Sequence, residues 1–108
     1  TLYESPVTYP KEIQHLQIKI DDWYDEPLEM YFDKCHNFID EHIGKGHVLV
    51  HCFAGVSRSA TIVISYIMKT RRWTFEKAFD YVKKRRSIIQ PNPGFVEKLK
   101  DLEGKLGL

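Results

Sequence analysis

A cysteine and an arginine six positions apart have the clearest chemical potential of any residues in this sequence. They lie in residues 51–59, HCFAGVSRS, after the apolar residues 48–50 and before a largely apolar stretch that begins at Ser59. The first apolar segment predicts a strand buried on both faces, and the second predicts a buried central helix. A strand–loop–helix connection directs the N–H groups of the loop and the positive end of the helix dipole toward one point. The sequence therefore predicts an anion-binding loop between the cysteine and the helix.

The residue types in this loop suit phosphate chemistry. Gly55 allows a tight turn and a close approach of backbone to ligand, and the planar guanidinium of Arg58 matches two phosphate oxygens. A free thiol has a pKa of about 8.5, which a helix N-terminus and nearby cations lower to roughly 3.5–7.5. Cys52 is therefore expected to be a thiolate that attacks phosphorus, with the Ser59 hydroxyl stabilising the sulfur as a leaving group. The alternative is an ordinary buried cysteine, which would not need the glycine, arginine and hydroxyl together.

The loop also carries a family resemblance. The pattern His-Cys-x-x-Gly-x-x-Arg-Ser in residues 51–59 resembles the signature of cysteine-dependent protein tyrosine phosphatases, and the fuller string HCFAGVSRSA most resembles their dual-specificity branch. The resemblance extends over about residues 16–102. It implies hydrolysis of phosphotyrosine and phosphoserine or phosphothreonine in proteins through a cysteinyl-phosphate, without a metal or other cofactor. The groups expected to bind phosphate are those of Phe53, Ala54, Gly55, Val56, Ser57 and Arg58, with support from His51.

The reaction also needs an acid that protonates the leaving oxygen, and an acidic loop supplies candidates. Residues 21–27, DDWYDEP, follow an alternating segment and precede a predicted helix. In the resembling family the acid lies in such a loop, and alignment on Leu28 and the Tyr-Phe pair after it places the acid at Asp22. Asp21 is the neighbouring alternative, and a solvated turn is another. Asp25 is interpreted as a cap for the next helix.

The predicted fold is an α/β domain over residues 1–108, phosphatase-like, with a small and mainly parallel sheet flanked by helices. Strands are predicted at residues 15–20 and 48–50, and residues 1–10 are expected to be irregular. Family members usually have further strands and a helix before this point, so the chain is expected to lack the usual N-terminal strands. Its sheet would then have an exposed edge through which two copies could pair. Helices are predicted at residues 28–43, from Ser59, after the cap Thr74, and after the cap Asn92 with Pro93.

Composition argues against several classes of protein, namely nucleic-acid-binding, membrane-spanning and disulfide-rich proteins. A net charge of +1 argues against general nucleic-acid binding, and no apolar run approaches the roughly 20 residues of a membrane span. Two cysteines do not suggest a disulfide framework, and Cys35 lies in an apolar helical stripe rather than beside a redox partner. A reducing cytosol or nucleus is expected, because the nucleophile must stay reduced. His36 and His42 are about 240° apart on a helix and cannot hold one metal together.

Several alternatives share parts of this pattern. Inositol-lipid phosphatases often carry lysines inside the loop, and this loop has none. RNA triphosphatases resemble an Asn-Arg-Thr ending, whereas this loop ends in Ser-Arg-Ser. Rhodanese-like sulfurtransferases also place a cysteine in an anion-binding loop but need no acid such as Asp22. Low-molecular-weight phosphatases place the loop before the acid, in the reverse order. A catalytically inactive phosphoprotein-binding module is a rival of another class. A mitogen-activated protein kinase is a substrate suggested by the family alone, and the basic residues 83–86 either complement a helix end or steer acidic phosphoproteins.

Overall fold

Four α-helices surround one apolar core in the computed structural model, which describes residues 1–2 and 13–108. The prediction for residues 1–10 therefore falls mostly outside the described residues. A short 3-10 helix, Leu28–Tyr31, precedes the first α-helix. The α-helices are α1 (Phe32–Ile43), α2 (Arg58–Arg71), α3 (Phe75–Arg85) and α4 (Pro93–Lys105).

Capping side chains mark the start of α3 and of α4. The Thr74 side chain accepts a hydrogen bond from the Lys77 N–H at 3.3 Å and begins α3, as predicted. Asn92 caps α4 in the same way, with Pro93 at the first helical position. The single helix predicted for residues 28–43 is wrong in its first turn, where the Met30 N–H donates to the Pro27 carbonyl three residues back. This tighter pattern of hydrogen bonds makes the turn a 3-10 helix.

The central helix is α2, and its burial confirms the prediction from its apolar composition. It packs against α1, α3 and α4. Even its polar residues Thr61 and Ser65 are inaccessible, and their hydroxyls donate to the backbone carbonyls of Ser57 and Ile62 at 2.8 and 2.7 Å. These bonds satisfy polar groups that would otherwise be costly to bury. The buried apolar residues on and around α2 include Ala60, Ile62, Ile64, Met68, Ala78, Val82, Phe95 and Leu99.

The predicted sheet is not confirmed. Among the described residues, extended pairing is limited to one parallel bridge between Leu2 and Ile18. Thr1 and Leu2 lie between the two segments predicted as strands: the Ile18 N–H donates to the Thr1 carbonyl at 2.8 Å, and the Leu2 N–H donates to the His51 carbonyl at 2.9 Å. A strand ladder needs several consecutive paired residues, and one pair does not make one.

The strand predicted at residues 48–50 is also less buried than expected. Leu49 is 79% exposed, and Val48 and Val50 are half-buried. The expectation of burial on both faces is therefore wrong for Leu49. In the described part of the chain, no helix is long and apolar enough to cross a lipid bilayer.

Candidate active site

The loop that precedes α2 is held from outside through its carbonyl groups. Arg86, just after α3, donates from Nε to the Gly55 carbonyl at 3.0 Å and from Nη2 to the Ala54 carbonyl at 3.4 Å. The Gln90 N–H donates to the Val56 carbonyl at 2.7 Å. Three successive carbonyls therefore point toward the segment that follows α3.

This outward direction of the carbonyls fixes the direction of the amides. In a trans peptide the N–H and C=O point in opposite directions, so the N–H groups of Gly55, Val56 and Ser57 point to the other side of the loop. The Ser57 carbonyl accepts from the Thr61 N–H at 2.9 Å inside α2, which turns the next amide the same way. The result is a ring of converging donors, the arrangement that binds an oxyanion.

Gly55 is favoured by its backbone conformation, and its missing Cβ leaves room for the Arg86 side chain. Its φ of +68° lies in the left-handed region that residues with side chains rarely adopt. A Cβ at this position would also lie 2.6 Å from Nη2 of Arg86. Glycine therefore allows Arg86 to approach the loop carbonyls closely.

The Cys52 thiol lies half-buried at the centre of this arrangement. Its Sγ is hydrogen bonded to Oγ of Ser59 at 3.2 Å. Burial raises the pKa of Cys52. Hydrogen bonds from the Ser59 side chain and from the backbone amides of Ser59 and Gly55, together with the charge of Arg58, lower this pKa by more than burial raises it. The net effect is to lower the pKa of Cys52 from that of an ordinary cysteine thiol. The other cysteine, Cys35, lacks these donors, and burial raises its pKa to about 11.

Arg58 is the first residue of α2 and is only 7% exposed. Its Nη1 donates to the Ile20 carbonyl at 3.1 Å, which fixes the guanidinium relative to the segment before the acidic loop. A fixed, largely desolvated guanidinium favours a bound oxyanion more than a mobile surface arginine does.

The two candidate acids, Asp21 and Asp22, have different hydrogen-bond partners. The Asp21 carboxylate accepts from the Asp22 N–H at 2.8 Å and from Nε1 of Trp23 at 3.0 Å, so it stabilises its own turn. The exposed Asp22 carboxylate instead accepts from Nδ2 of Asn92 at 2.9 Å. The Asn92 N–H donates to Oγ of Ser57 at 2.9 Å. Asp22 is therefore the acid connected to the phosphate-binding loop, which favours it over Asp21.

The histidines have different surroundings. Nε2 of His51 lies 2.8 Å from Oγ1 of Thr1, and its carbonyl accepts from Leu2, so His51 connects the start of the loop to the first residues of the chain. His36 is buried beside Ser65 in the core. Within residues 1–2 and 13–108, no three His, Cys, Asp or Glu side chains form a group that could hold a metal ion.

The chain is similar over most of its length to known proteins. A profile of the dual specificity phosphatase catalytic domain matches residues 3–105. The chain belongs to the dual-specificity phosphatase family. It is 46% identical over 96 residues to dual specificity protein phosphatase 1 of Arabidopsis thaliana, and 46% identical over 101 residues to MAP kinase phosphatase with leucine-rich repeats protein 3 of Dictyostelium discoideum.

These alignments cover 88% and 91% of this chain, but 48% and 12% of the two relatives, so the dual-specificity phosphatase chain spans about half of their length or less. Among solved structures, it superposes on the human tyrosine phosphatase-like serine/threonine/tyrosine-interacting protein with a TM-score of 0.93 and 34% identity. That superposition covers 99% of this chain and 76% of the human protein. The phosphatase fold is therefore shown.

Two residues of this dual-specificity phosphatase site were missed from the sequence. Arg86 was grouped with a basic run, and Asn92 was interpreted only as a helix cap. Two other cations of the run contact α3 or the residues just after it: Lys83 donates to the Ile89 carbonyl at 2.8 Å, and Cζ of Arg85 lies 3.5 Å from the centre of the Tyr81 ring. The sequence contains no signal that distinguishes Arg86 from these neighbours, because its role depends on how the end of α3 lies against the loop.

Proposed function

We propose that this chain hydrolyses phosphotyrosine and phosphoserine or phosphothreonine in proteins through a cysteinyl-phosphate. The observation that carries the proposal is the lowered pKa of the Cys52 thiol beside a ring of converging amides. A thiolate is the nucleophilic form of cysteine, and the amides accommodate the oxygens of the phosphoryl group it attacks.

In the first step, Sγ of Cys52 forms a bond to phosphorus and the P–O ester bond breaks. The Asp22 carboxyl gives its proton to the departing oxygen, so the product leaves as an alcohol or phenol. Arg58 and the amides of residues 53–58 bind the three equatorial oxygens as charge redistributes. The phosphoryl group is then held on sulfur as a thiophosphate ester.

In the second step, the ionised Asp22 takes a proton from water, whose oxygen attacks phosphorus. The S–P bond breaks, inorganic phosphate is released, and the sulfur leaves as a thiolate. The Ser59 hydroxyl donates to that thiolate, which makes sulfur a better leaving group. Both steps use charges and donors of the chain, with Arg58 supplying the positive charge.

The test is turnover by Cys52→Ser. This variant is expected to lose hydrolysis of phosphopeptides and of p-nitrophenyl phosphate while it still binds inorganic phosphate. Asn37→Ser, on the exposed side of α1, is the matched control and should retain full turnover. Turnover by Cys52→Ser at the rate of the wild type would exclude the covalent mechanism.

The substrate class needs its own comparison. Phosphopeptides should be hydrolysed faster than phosphoinositides, because no lysine lies inside the loop. The name of the Dictyostelium relative supports a mitogen-activated protein kinase as a substrate to try first. Faster turnover of phosphoinositides would contradict the protein-phosphatase proposal. A reducing cytosol or nucleus is the proposed location, since oxidation of Cys52 would remove the nucleophile.

A binding module is the second candidate, because the name of the superposed human structure describes a phosphatase-like interacting protein. Stoichiometric binding of a phosphopeptide without release of phosphate by the wild-type chain would favour this candidate.

We also propose that the predicted strands at residues 15–20 and 48–50, the second extended by His51, belong to a small parallel sheet with Thr1 and Leu2 between them. The hydrogen bonds of Thr1 and Leu2 to both segments support this arrangement. An exposed edge of that sheet would let two copies pair, with Leu49 on the surface. Light scattering of the wild type and of Leu49→Lys tests the dimer, and a monomeric wild type would contradict it.

A further inference from the structure

Asn92 makes three hydrogen bonds that connect three parts of the site. Its Oδ1 accepts from the Phe95 N–H at 2.9 Å and caps α4. Its backbone N–H donates to Oγ of Ser57 in the phosphate-binding loop at 2.9 Å. Its Nδ2 donates to Oδ1 of Asp22 at 2.9 Å. One side chain therefore contacts the acid while its own backbone is bonded to the loop.

The direction of the Asn92 amide is determined by chemistry. A backbone N–H can only donate, so the amide atom facing Phe95 must be the oxygen. The NH₂ group then faces Asp22, and a carboxylate oxygen is a strong acceptor. The cap of α4 thus fixes which end of the amide meets the acid.

We propose that Asn92 is a positioning residue for the general acid Asp22. This inference rests on the proposed phosphatase function. Asn92 Nδ2 occupies Oδ1 of Asp22 as a donor, so the proton that the acid delivers is carried on Oδ2. The amide thereby selects the oxygen that faces the leaving group, and its link through Ser57 keeps that oxygen in register with the phosphate-binding loop.

The surroundings of Asp22 make such a positioning residue useful. The Asp22 side chain is exposed. The backbone of its turn is held by the Asp21 carboxylate, by the bond from the Glu26 N–H to the Trp23 carbonyl, and by contact of Tyr24 with Gly94 of α4, but none of these contacts orients the Asp22 carboxylate. An exposed aspartate has several accessible side-chain orientations, and proton transfer requires hydrogen-bond contact with the leaving oxygen. A fixed donor from α4 reduces those orientations in both steps of the reaction.

The experiment separates positioning from structural support with two variants. Asn92→Ser keeps a good cap for α4 but is too short to reach Asp22, and Asn92→Asp keeps both the cap and the size but cannot donate. Each is compared with wild type and with Asn37→Ser on p-nitrophenyl phosphate, whose leaving group departs readily, and on phenyl phosphate, whose leaving group needs a proton.

We expect both variants to lose roughly 10- to 100-fold in kcat/KM on phenyl phosphate and less than about 3-fold on p-nitrophenyl phosphate, since general acid catalysis contributes about 10²–10⁴-fold. The ratio kcat/KM is compared because it reports the step in which the leaving group departs, whereas hydrolysis of the cysteinyl-phosphate is common to both substrates. In an Asp22→Ala background, the same changes should have no additional effect on kcat/KM. Equal losses on both substrates, or losses that persist without Asp22, would show a structural role only and overturn the proposal.

The outcome also separates this inference from the proposed function. If Cys52→Ser abolishes turnover and Asp22→Ala shows the leaving-group dependence while both Asn92 variants behave as wild type, only the role of Asn92 is wrong. If Cys52→Ser is active, or Asp22→Ala shows no such dependence, the mechanism and the role of Asn92 are wrong together. Thermal unfolding of each variant identifies any loss that comes from an unstable α4.

Discussion

The two cysteines should differ sharply in reactivity, and the difference depends on one hydroxyl. Iodoacetamide reacts with thiolates, so its rate reports the ionised fraction of each thiol. At pH 8, three units below its pKa of about 11, about one Cys35 thiol in a thousand is ionised. Cys52, whose pKa is lowered, should react with an inflection below pH 9.0 and well before Cys35.

Removing the Ser59 hydroxyl should shift that inflection upward. A hydrogen bond to a charged acceptor contributes about 1.5–3 kcal/mol when it is desolvated, and the half-buried Cys52 justifies the lower end. A loss of about 1.5 kcal/mol changes an equilibrium constant by about 10-fold. Ser59→Ala should therefore raise the pKa of Cys52 and slow its alkylation at neutral pH by up to about 10-fold, while the backbone amides and Arg58 still hold its pKa below that of Cys35.

The assay is alkylation by iodoacetamide over pH 5–10, with the two cysteine-containing peptides quantified by mass spectrometry. Ser87→Ala, an exposed serine after α3, is the matched control and should leave both rates unchanged. An inflection for Cys52 at or above 9.0, equal rates for the two cysteines, or no shift in Ser59→Ala would each refute the electrostatic argument.

Three further outcomes are expected. Gly55→Ala should reduce kcat/KM on p-nitrophenyl phosphate by roughly 10-fold or more, since the left-handed backbone alone costs about 1–2 kcal/mol and Arg86 must also move. Gly44→Ala, with no atom within 4 Å of its new Cβ, should have normal activity, and an active Gly55→Ala would contradict the geometry. Arg86→Ala should weaken competitive inhibition by inorganic phosphate by about 3- to 10-fold, because exposed hydrogen bonds contribute modestly. Lys84→Ala should leave inhibition by phosphate unchanged. An equal effect of the Arg86 and Lys84 variants would indicate simple loss of charge. Finally, burial lowers the pKa of His36 to about 4, so the folded chain binds fewer protons than the unfolded chain between about pH 4 and 6.5. Its free energy of unfolding should therefore fall by about 3 kcal/mol as the pH drops through that range. Urea denaturation of His36→Phe should lack this component, and an identical pH dependence in that variant would assign it to other groups.

The residues of the loop were predictable because their chemistry is local. The spacing of Cys52, Gly55 and Arg58 fixes which atoms a strand–loop–helix turn brings together, and the apolar composition after Ser59 predicted the buried α2. Thr74 and Asn92 were found as caps because capping depends on the next three residues. Within the described residues, the burial of α2 and the two caps were confirmed, and the roles of the loop residues stay predictions.

The parts that depend on distant contacts were not predictable in the same way. The sheet was predicted from the alternation of residues 15–20, but a strand also needs a partner with consecutive paired residues, and the pattern of one segment does not supply it. Arg86 holds the phosphate-binding loop because the end of α3 lies against it, as the bonds of Arg86 to the carbonyls of Ala54 and Gly55 show. These residues are more than thirty positions apart in the sequence. The choice of Asp22 over Asp21 likewise depends on Asn92, seventy positions away.

The anchoring of the loop carbonyls has a consequence for selectivity. The donors that hold the carbonyls of the phosphate-binding loop, on Arg86, Gln90 and Thr61, are all protein groups. The loop, called the cradle below, therefore keeps its shape without a ligand. Such preorganisation lowers the entropic cost of binding, and it makes the cradle receptive to any compact oxyanion, including vanadate and sulfate. Under the proposed function, discrimination between phosphorylated proteins would therefore come from other surfaces, and the exposed side chains of Phe53, beside Cys52, and of Trp23 and Tyr24, beside Asp22, are candidates.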